Sequence, residues 1–318
     1  DKMEAIVKRT GRPAFISTVL AMYNDAKPDL CGTYYEACRA AQARGHDLNM
    51  LTSCQPLRFD FSLRDPYLLL SHKAFDAIEK KDDASLTAVY QDPAFRARFR
   101  ENLKSPGPGI LFLGDWGKIE VSLCANESLA EYQGQTIAAL AAAQGKDPLD
   151  LFFDLALSDG LNTRFLARLF QDSDEGVGPL LKDSAGVITL SDAGAHLLYF
   201  CDAGFGLHFL SHWVRETKTF TLAEAVRRLT SDPADQFRIP DRGRLKPGAP
   251  ADLLLFDPGA VGLSPPQPVS DLPGGASRMV REPIGCHGTW VNGVKVHDGK
   301  TYTTLPHGPG AVLDQFVS

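Results

Sequence analysis

No apolar run in this sequence approaches the length needed to span a bilayer. Stretches such as Leu68 to Leu70 or Leu253 to Phe256 are far too short. Lys/Arg runs are missing as well, and the formal net charge is −6, which argues against non-specific binding to nucleic acid. The six cysteines (Cys31, Cys38, Cys54, Cys124, Cys201 and Cys286) contain no Cys-x-x-Cys pair. Spread this widely, they read as reduced, mostly buried thiols rather than a disulfide framework. The start, Asp1-Lys2-Met3-Glu4, is charged and carries no apolar signal region. These absences together lead to the expectation of a cytoplasmic protein that binds neither membrane nor nucleic acid. There is no Gly-x-Ser-x-Gly elbow. Nor does a Glu complete a metal motif between His208 and His212, which read better as core packing.

What is present suits a large folded enzyme. With 318 residues and 44% hydrophobic content, the chain can bury a sizeable core. Ala14 to Ala21 reads as a buried strand, Tyr34 to Ala43 as a helix closed by Gly45, and Leu48 to Thr52 as a second strand. This is a β-α-β rhythm with parallel-sheet character. Residues near 58–108 break the rhythm and read as a helical insertion. Strands are expected at Ile110 to Leu113 and Ile119 to Ser122, and a helix at Thr163 to Phe170. Asp147-Pro148-Leu149-Asp150 marks a helix start, with Asp147 as the cap. Thr221-Leu222-Ala223-Glu224 is a capping box. From Arg242 the texture turns to Gly, Pro and short β runs, and Asn292-Gly293 signals a hairpin. The boundary is therefore set near Arg238 to Arg242, giving residues 1–238 and 239–318.

The most informative stretch is Thr189-Leu190-Ser191-Asp192-Ala193-Gly194-Ala195-His196. The apolar segment Val187 to Leu190 reads as a strand that runs directly into a carboxylate, two small residues and an imidazole. Barrel enzymes carry their chemistry at such strand ends. Cys54, Gln55 and Arg58 follow the strand at Leu48 in the same way, and all three are candidate pocket residues, Gln55 and Arg58 for contact with substrate. Asp202 can support the loop or touch ligand. Arg215 can take a substrate carboxylate, with an ion pair to Glu216 as the competing role.

Ser191 to His196, with His212-Trp213-Val214-Arg215-Glu216 after it, resembles the amidohydrolase superfamily, and within it the N-acyl-D-amino-acid deacylases. Three further stretches agree in order: Leu222 to Thr230, Asp241 to Leu253 and Val291-Asn292-Gly293. Gly243 to Asp252 matches the specific Gly-x-Leu-x-Pro-Gly-x-x-Ala-Asp element. The resemblance implies an α/β fold, a TIM-like (β/α)8 barrel, incomplete in this chain, with part of a small β-sandwich over 239–318. It implies hydrolysis of a small-molecule amide, with zinc or another divalent metal as cofactor. Asp192 is then base, acid and metal ligand, and His196 lies in the following loop, suited to touching substrate; Arg215, Asp202, Gln55 and Arg58 remain the further candidate substrate contacts.

The sequence departs from that pattern. No His-x-His occurs among His46, His72, His196, His208, His212, His287, His297 and His307. Phe15-Ile16-Ser17-Thr18-Val19 and Leu48 to Gln55 carry no imidazole where one is expected. Most metal ligands are therefore expected outside this chain, with an N-terminal segment or separate chain completing the barrel. A barrel lacking those strands would have an open seam and expose apolar sheet edge. The alternative is a barrel remnant that binds a ligand or partner without turnover.

Overall fold

The computed structural model describes residues 2–17, 22–25, 27–78, 82–107, 110–189, 197–199, 201–314 and 316. Along the chain, helix α1 (Lys2–Thr10) leads to strand β1 (Ala14–Ile16), helix α2 (Pro28–Ala43) and strand β2 (Leu48–Thr52). Strand β3 (Leu57–Ser62), helices α3 (Asp83–Gln91) and α4 (Pro93–Lys104), and strand β4 (Ile119–Leu123) follow. Helices α5 (Ile137–Gln144) and α6 (Pro148–Ser158) and strand β5 (Arg164–Phe170) come next. Then come helix α7 (Asp174–Lys182) and strand β6 (Gly186–Ile188). Helix α8 (Phe205–His208) continues as a π-helix (Phe209–Glu216), followed by α9 (Leu222–Leu229) and α10 (Ser231–Gln236). The remaining strands are β7 (Leu253–Phe256), β8 (Gly262–Leu263), β9 (Gln267–Val269), β10 (Arg278–Val280), β11 (Pro283–Ile284), β12 (Cys286–Val291) and β13 (Val294–His297).

The chain divides into two compact units. One holds Asp1–Pro56, Phe170–Leu197 and Cys201–Ser318, and the other Leu57–Leu169 with Leu198–Phe200. In the first, β1, β2 and β6 form a parallel sheet in that order, with Ala14 beside Leu48 and Met50 beside Gly186. The expected β-α-β unit is thus β1-α2-β2. Tyr35, Cys38 and Ala41 of α2 pack with Leu48, Met50 and Leu180. The Tyr35 hydroxyl and Thr52 Oγ1 share a 2.6 Å hydrogen bond. Seven short strands follow α10 among the described residues, in four antiparallel pairings: β7 with β12, β12 with β13, β9 with β10 and β8 with β11. Asn292 and Gly293 take φ of 47° and 80°, the left-handed pair that a tight hairpin between β12 and β13 requires.

Arg228 of α9 ties this unit together. It is buried, and its Nη2 donates to the carbonyls of Leu181 (2.8 Å), Asp183 (3.2 Å) and Gly186 (2.9 Å). One guanidinium therefore satisfies the end of α7 and the start of β6, where main-chain carbonyls would otherwise be stranded. The capping box at Thr221 and Glu224 sets the start of the helix that carries it.

The second unit is built on aromatic rings. Phe61 of β3, Phe152 of α6 and Phe165 of β5 pack together, and Tyr90, Phe95, Phe99 and Phe153 continue the cluster. Asp92 and Asp147 cap α4 and α6, each with a proline in the first turn. The helix expected at Thr163 to Phe170 is instead β5. Phe165, Ala167 and Leu169 are buried while Arg164, Leu166 and Arg168 are less so, a period of two that only a strand presents to one face. Ile110 to Leu113 forms no strand, whereas Ile119 to Leu123 does.

Two outcomes are expected. Arg228→Ala leaves three buried carbonyls without their donor and should cost about 2–4 kcal/mol in denaturant unfolding. Arg228→Lys, with its single-point ammonium, should recover only part of that. A loss under about 1 kcal/mol for the alanine variant would refute the role given to this side chain. The second concerns His72, buried in the second unit, whose Nε2 lies 2.9 Å from the Phe112 carbonyl. Burial pushes its pKa below 6.5, and the bond to Phe112 pulls partly back. The unfolded chain therefore binds more protons below pH 6.5. The stabilising contribution is whole above that value and is lost as pH falls through the lowered folded pKa. On acidification from about pH 7.5 to about pH 5.5, His72→Gln should lose less stability than the wild type. Parallel losses in a thermal melt would contradict this.

Candidate functional site

The ends of β2 and β6 lie side by side. The pairing of Thr52 with Ile188 is extended by the Thr189 amide, which donates to the Thr52 carbonyl at 3.0 Å. The next residues, 190–196, carry Asp192 and His196 and lie outside the described residues. Their place in the chain is still clear: they follow the C-terminal end of a strand in a parallel sheet, the side on which barrel sites are built.

Around those strand ends is a knot of buried amides. Gln55 donates from Nε2 to the Asp202 carbonyl at 2.8 Å. Ser53 donates to the Gln55 carbonyl at 3.0 Å. Gln171 donates from Nε2 to the Ser53 carbonyl at 2.6 Å, and its own main-chain N–H donates to the Tyr23 carbonyl at 3.0 Å. The Tyr23 amide returns a bond to Gln171 Oε1. Gln171 takes a left-handed φ of 58°, which is uncommon outside glycine. A non-glycine residue held there marks a place where the surroundings dictate the backbone.

The π-helical stretch supports the knot from behind. Buried Trp213 donates from Nε1 to the Cys54 carbonyl at 2.6 Å. The Cys54 thiol donates to the Phe205 carbonyl at 3.3 Å. Burial pushes the Cys54 pKa strongly up, and the nearby Asp202 adds to it. Cys54 is thus held as a neutral thiol, the opposite of an activated nucleophile.

The candidates separate accordingly. Gln55 and Asp202 come together at the strand ends. Arg215 is engaged elsewhere, donating to the Val261 carbonyl and, at 3.2 Å, to Glu216 Oε1. Arg58 belongs to β3 and the second unit. His208 and His212 stack at 5.2 Å, and His212 faces Asp174 Oδ1 (2.8 Å) and Glu216 Oε2 (3.1 Å). His212 is half-buried in a charged cluster, while its neighbours Phe209 and Trp213 fill the core. Among the described residues no three His, Cys, Asp or Glu side chains are grouped to hold a metal ion.

Two residues were not picked out from the sequence. Gln171 sits just past β5, and its positive φ has no sequence signal. Arg281 lies between β10 and β11, yet its Nη1 approaches Gln55 Oε1 at 3.5 Å and its Nε donates to the Ser264 carbonyl at 3.0 Å. Burial lowers its pKa, and Asp202 and Cys201 act in the opposite sense.

The sequence is 28% identical over 189 residues to an uncharacterized protein of Mycobacterium bovis, covering 57% of this chain and 30% of that protein. It is 36% identical over 104 residues to the N-acyl-D-aspartate deacylase of Alcaligenes xylosoxydans xylosoxydans, covering 31% of this chain and 18% of the deacylase. A crystal structure of D-aminoacylase shares the fold, with a TM-score of 0.51 at 19% identity, over 98% of this chain and 52% of that one. The chain thus spans about half the length of that structure. Residues 68–297, most of the 318, match the Amidohydrolase family, and the chain belongs to it.

Proposed function

We propose that this chain contributes the strand-end aspartate and part of the substrate pocket of a hydrolase that cleaves the amide C–N bond of an N-acyl amino acid. The fold we propose for the whole is a (β/α)8 barrel with a small β-sandwich, in which β1, β2 and β6 are barrel strands. What supports the reading is the sequence order: Asp192 comes four residues after Ile188, the last residue of β6 in the parallel sheet, within the stretch matching the family. The names of two relatives, N-acyl-D-aspartate deacylase and N-acyl-D-glutamate deacylase, support an N-acyl amino acid as substrate class.

In this reading Asp192 takes a proton from the attacking water as it adds to the acyl carbonyl. The same carboxyl then gives that proton to the departing nitrogen, so one group is base and then acid. The products are a carboxylate and a free amino acid. His196 orients the substrate, and Gln55 holds the loop at Asp202 in place. Cys54 takes no part, being a buried neutral thiol. The resemblance also implies a divalent ion, with zinc as the expected one and Asp192 as its contact in this chain. The described residues do not fit such an ion on their own, since they offer no grouped donor set.

The test is amino-acid release by the full-length protein from N-acetyl-D-amino acids in zinc-containing buffer. Turnover is expected, and Asp192→Asn should lower kcat about 10²–10⁴-fold while leaving the unfolding midpoint near that of the wild type. Binding of the same compounds without any turnover by the wild type would instead favour the non-catalytic remnant. A fully active Asp192→Asn enzyme would remove Asp192 from the chemistry.

A further inference from the structure

The cations of the first unit are mostly committed to carboxylates: Arg278 to Asp271, Arg244 to Asp235, Arg242 to Asp252, and Arg238 to Asp47. Arg281 is different. Among the described residues it forms no ion pair, and its two hydrogen bonds go to uncharged oxygens, Ser264 O and Gln55 Oε1. A guanidinium has five N–H donors in a planar fork. Two are used, and those two engage Nε and one Nη1 hydrogen. Among the described residues no other bond engages the rest of the fork, on a side chain that is half-buried rather than waving in solvent. Asp202 acts on Arg281 as a charge of opposite sign, and its main-chain carbonyl is held by the same Gln55. Arg281 is thereby fixed at the ends of β2 and β6 although it comes from the segment between β10 and β11. A partly desolvated guanidinium with unused donors in a wall of neutral amides is a receptor for a planar anion.

We infer that Arg281 is a specificity residue of this site, and that its open Nη groups take a carboxylate of the amino-acid part of the substrate. Gln55 positions it: the amide oxygen accepts from Nη1 while the amide nitrogen anchors the Asp202 loop, so the fork faces the strand ends in one orientation. Asp202 sets the limit on the charge it accepts, because a second anion must bind against it. The inference rests on the deacylase reading, and it adds which substrates are taken.

The experiment compares matched pairs on the full-length protein. N-acetyl-D-alanine and its carboxamide differ at the α-carboxylate. N-acetyl-D-glutamate and N-acetyl-D-glutamine differ at the side chain. Arg281→Gln should raise KM for the carboxylate that Arg281 reads by about 100-fold, with kcat changed far less and the neutral partner of the pair within about 3-fold of wild type. Arg281→Lys should recover part of the loss. The pair whose discrimination collapses identifies which carboxylate is read. An equal fall on charged and neutral substrates, with a lowered unfolding midpoint, would make Arg281 a purely structural strut and overturn the inference. So would wild-type protein that fails to discriminate within either pair. Where the wild type turns over none of these compounds, the deacylase reading fails separately. Calorimetric binding of the same four compounds then decides the inference: loss of carboxylate preference in Arg281→Gln supports it, and unchanged binding overturns it.

Discussion

The buried guanidinium of Arg228 is the constraint on which the site rests. Strand β6 is only three residues long, Gly186–Ile188, too short to hold its own register against β2 by ladder bonds alone. Its entry is fixed instead by three carbonyls converging on one Nη2, from Leu181, Asp183 and Gly186. Removing a guanidinium from water is costly, and burial lowers the pKa of Arg228 accordingly, with Asp232 partly compensating. That cost is tolerable only because the carbonyls at a helix end and a strand start need donors in any case. Gly186 is part of the same fit. A Cβ built there would come within 2.8 Å of Thr52 Oγ1, the atom that bonds Tyr35, so the closest approach of β6 to β2 requires a residue without a side chain.

From that anchor the order passes to the strand ends. Thr189 continues the pairing for one more residue, and the chain enters the segment carrying Asp192. Just past the end of β2, the side chains that join the main-chain segments are the amides of Gln55 and Gln171. An amide both donates and accepts, so each can join two main-chain segments while carrying no charge that burial would penalise. Gln171 bridges Tyr23 and Ser53, and Gln55 bridges the Asp202 carbonyl and Arg281. The left-handed backbone of Gln171 costs of the order of 1 kcal/mol, which its hydrogen bonds offset. Strain of this sort persists where position matters more than local comfort.

Local chemistry was legible in the sequence because it depends on neighbours in the chain. The Thr221–Glu224 box, the Asp147-Pro148 start and the Asn292-Gly293 turn are settled within four residues by capping and by φ, and each forms as expected. The β1-α2-β2 unit was readable for a similar reason, from apolar runs of strand length flanking one helix. Failures occurred where tertiary burial decides. Arg164 to Phe170 contains Phe165, Leu166, Ala167 and Leu169, apolar enough for either period, and only the aromatic core beneath it selects alternate residues. Arg281 was invisible for a different reason. It lies 226 residues from Gln55, and no spacing rule links a loop between two-residue and three-residue strands to the end of strand β2. Asp192 and His196 were legible as a motif, but their side chains lie outside the described residues.

The division of labour follows from how each charged group is solvated. Arg215, a candidate for the substrate carboxylate with an ion pair to Glu216 as its competing role, meets Glu216 and a carbonyl, so an incoming carboxylate would have to displace an existing ion pair. Among the described residues the hydrogen bonds of Arg281 go to neutral oxygens, so a carboxylate would add to its coordination without displacing an ion pair. Desolvation favours the second arrangement: the burial that lowers the Arg281 pKa is relieved when an anion arrives. Binding is then strongest for ligands that bring the missing charge, and a neutral analogue leaves the guanidinium no better compensated than before. Discrimination of this sort comes from unused donors on a half-buried guanidinium, and of these two arginines Arg281 is the one without an ion pair among the described residues.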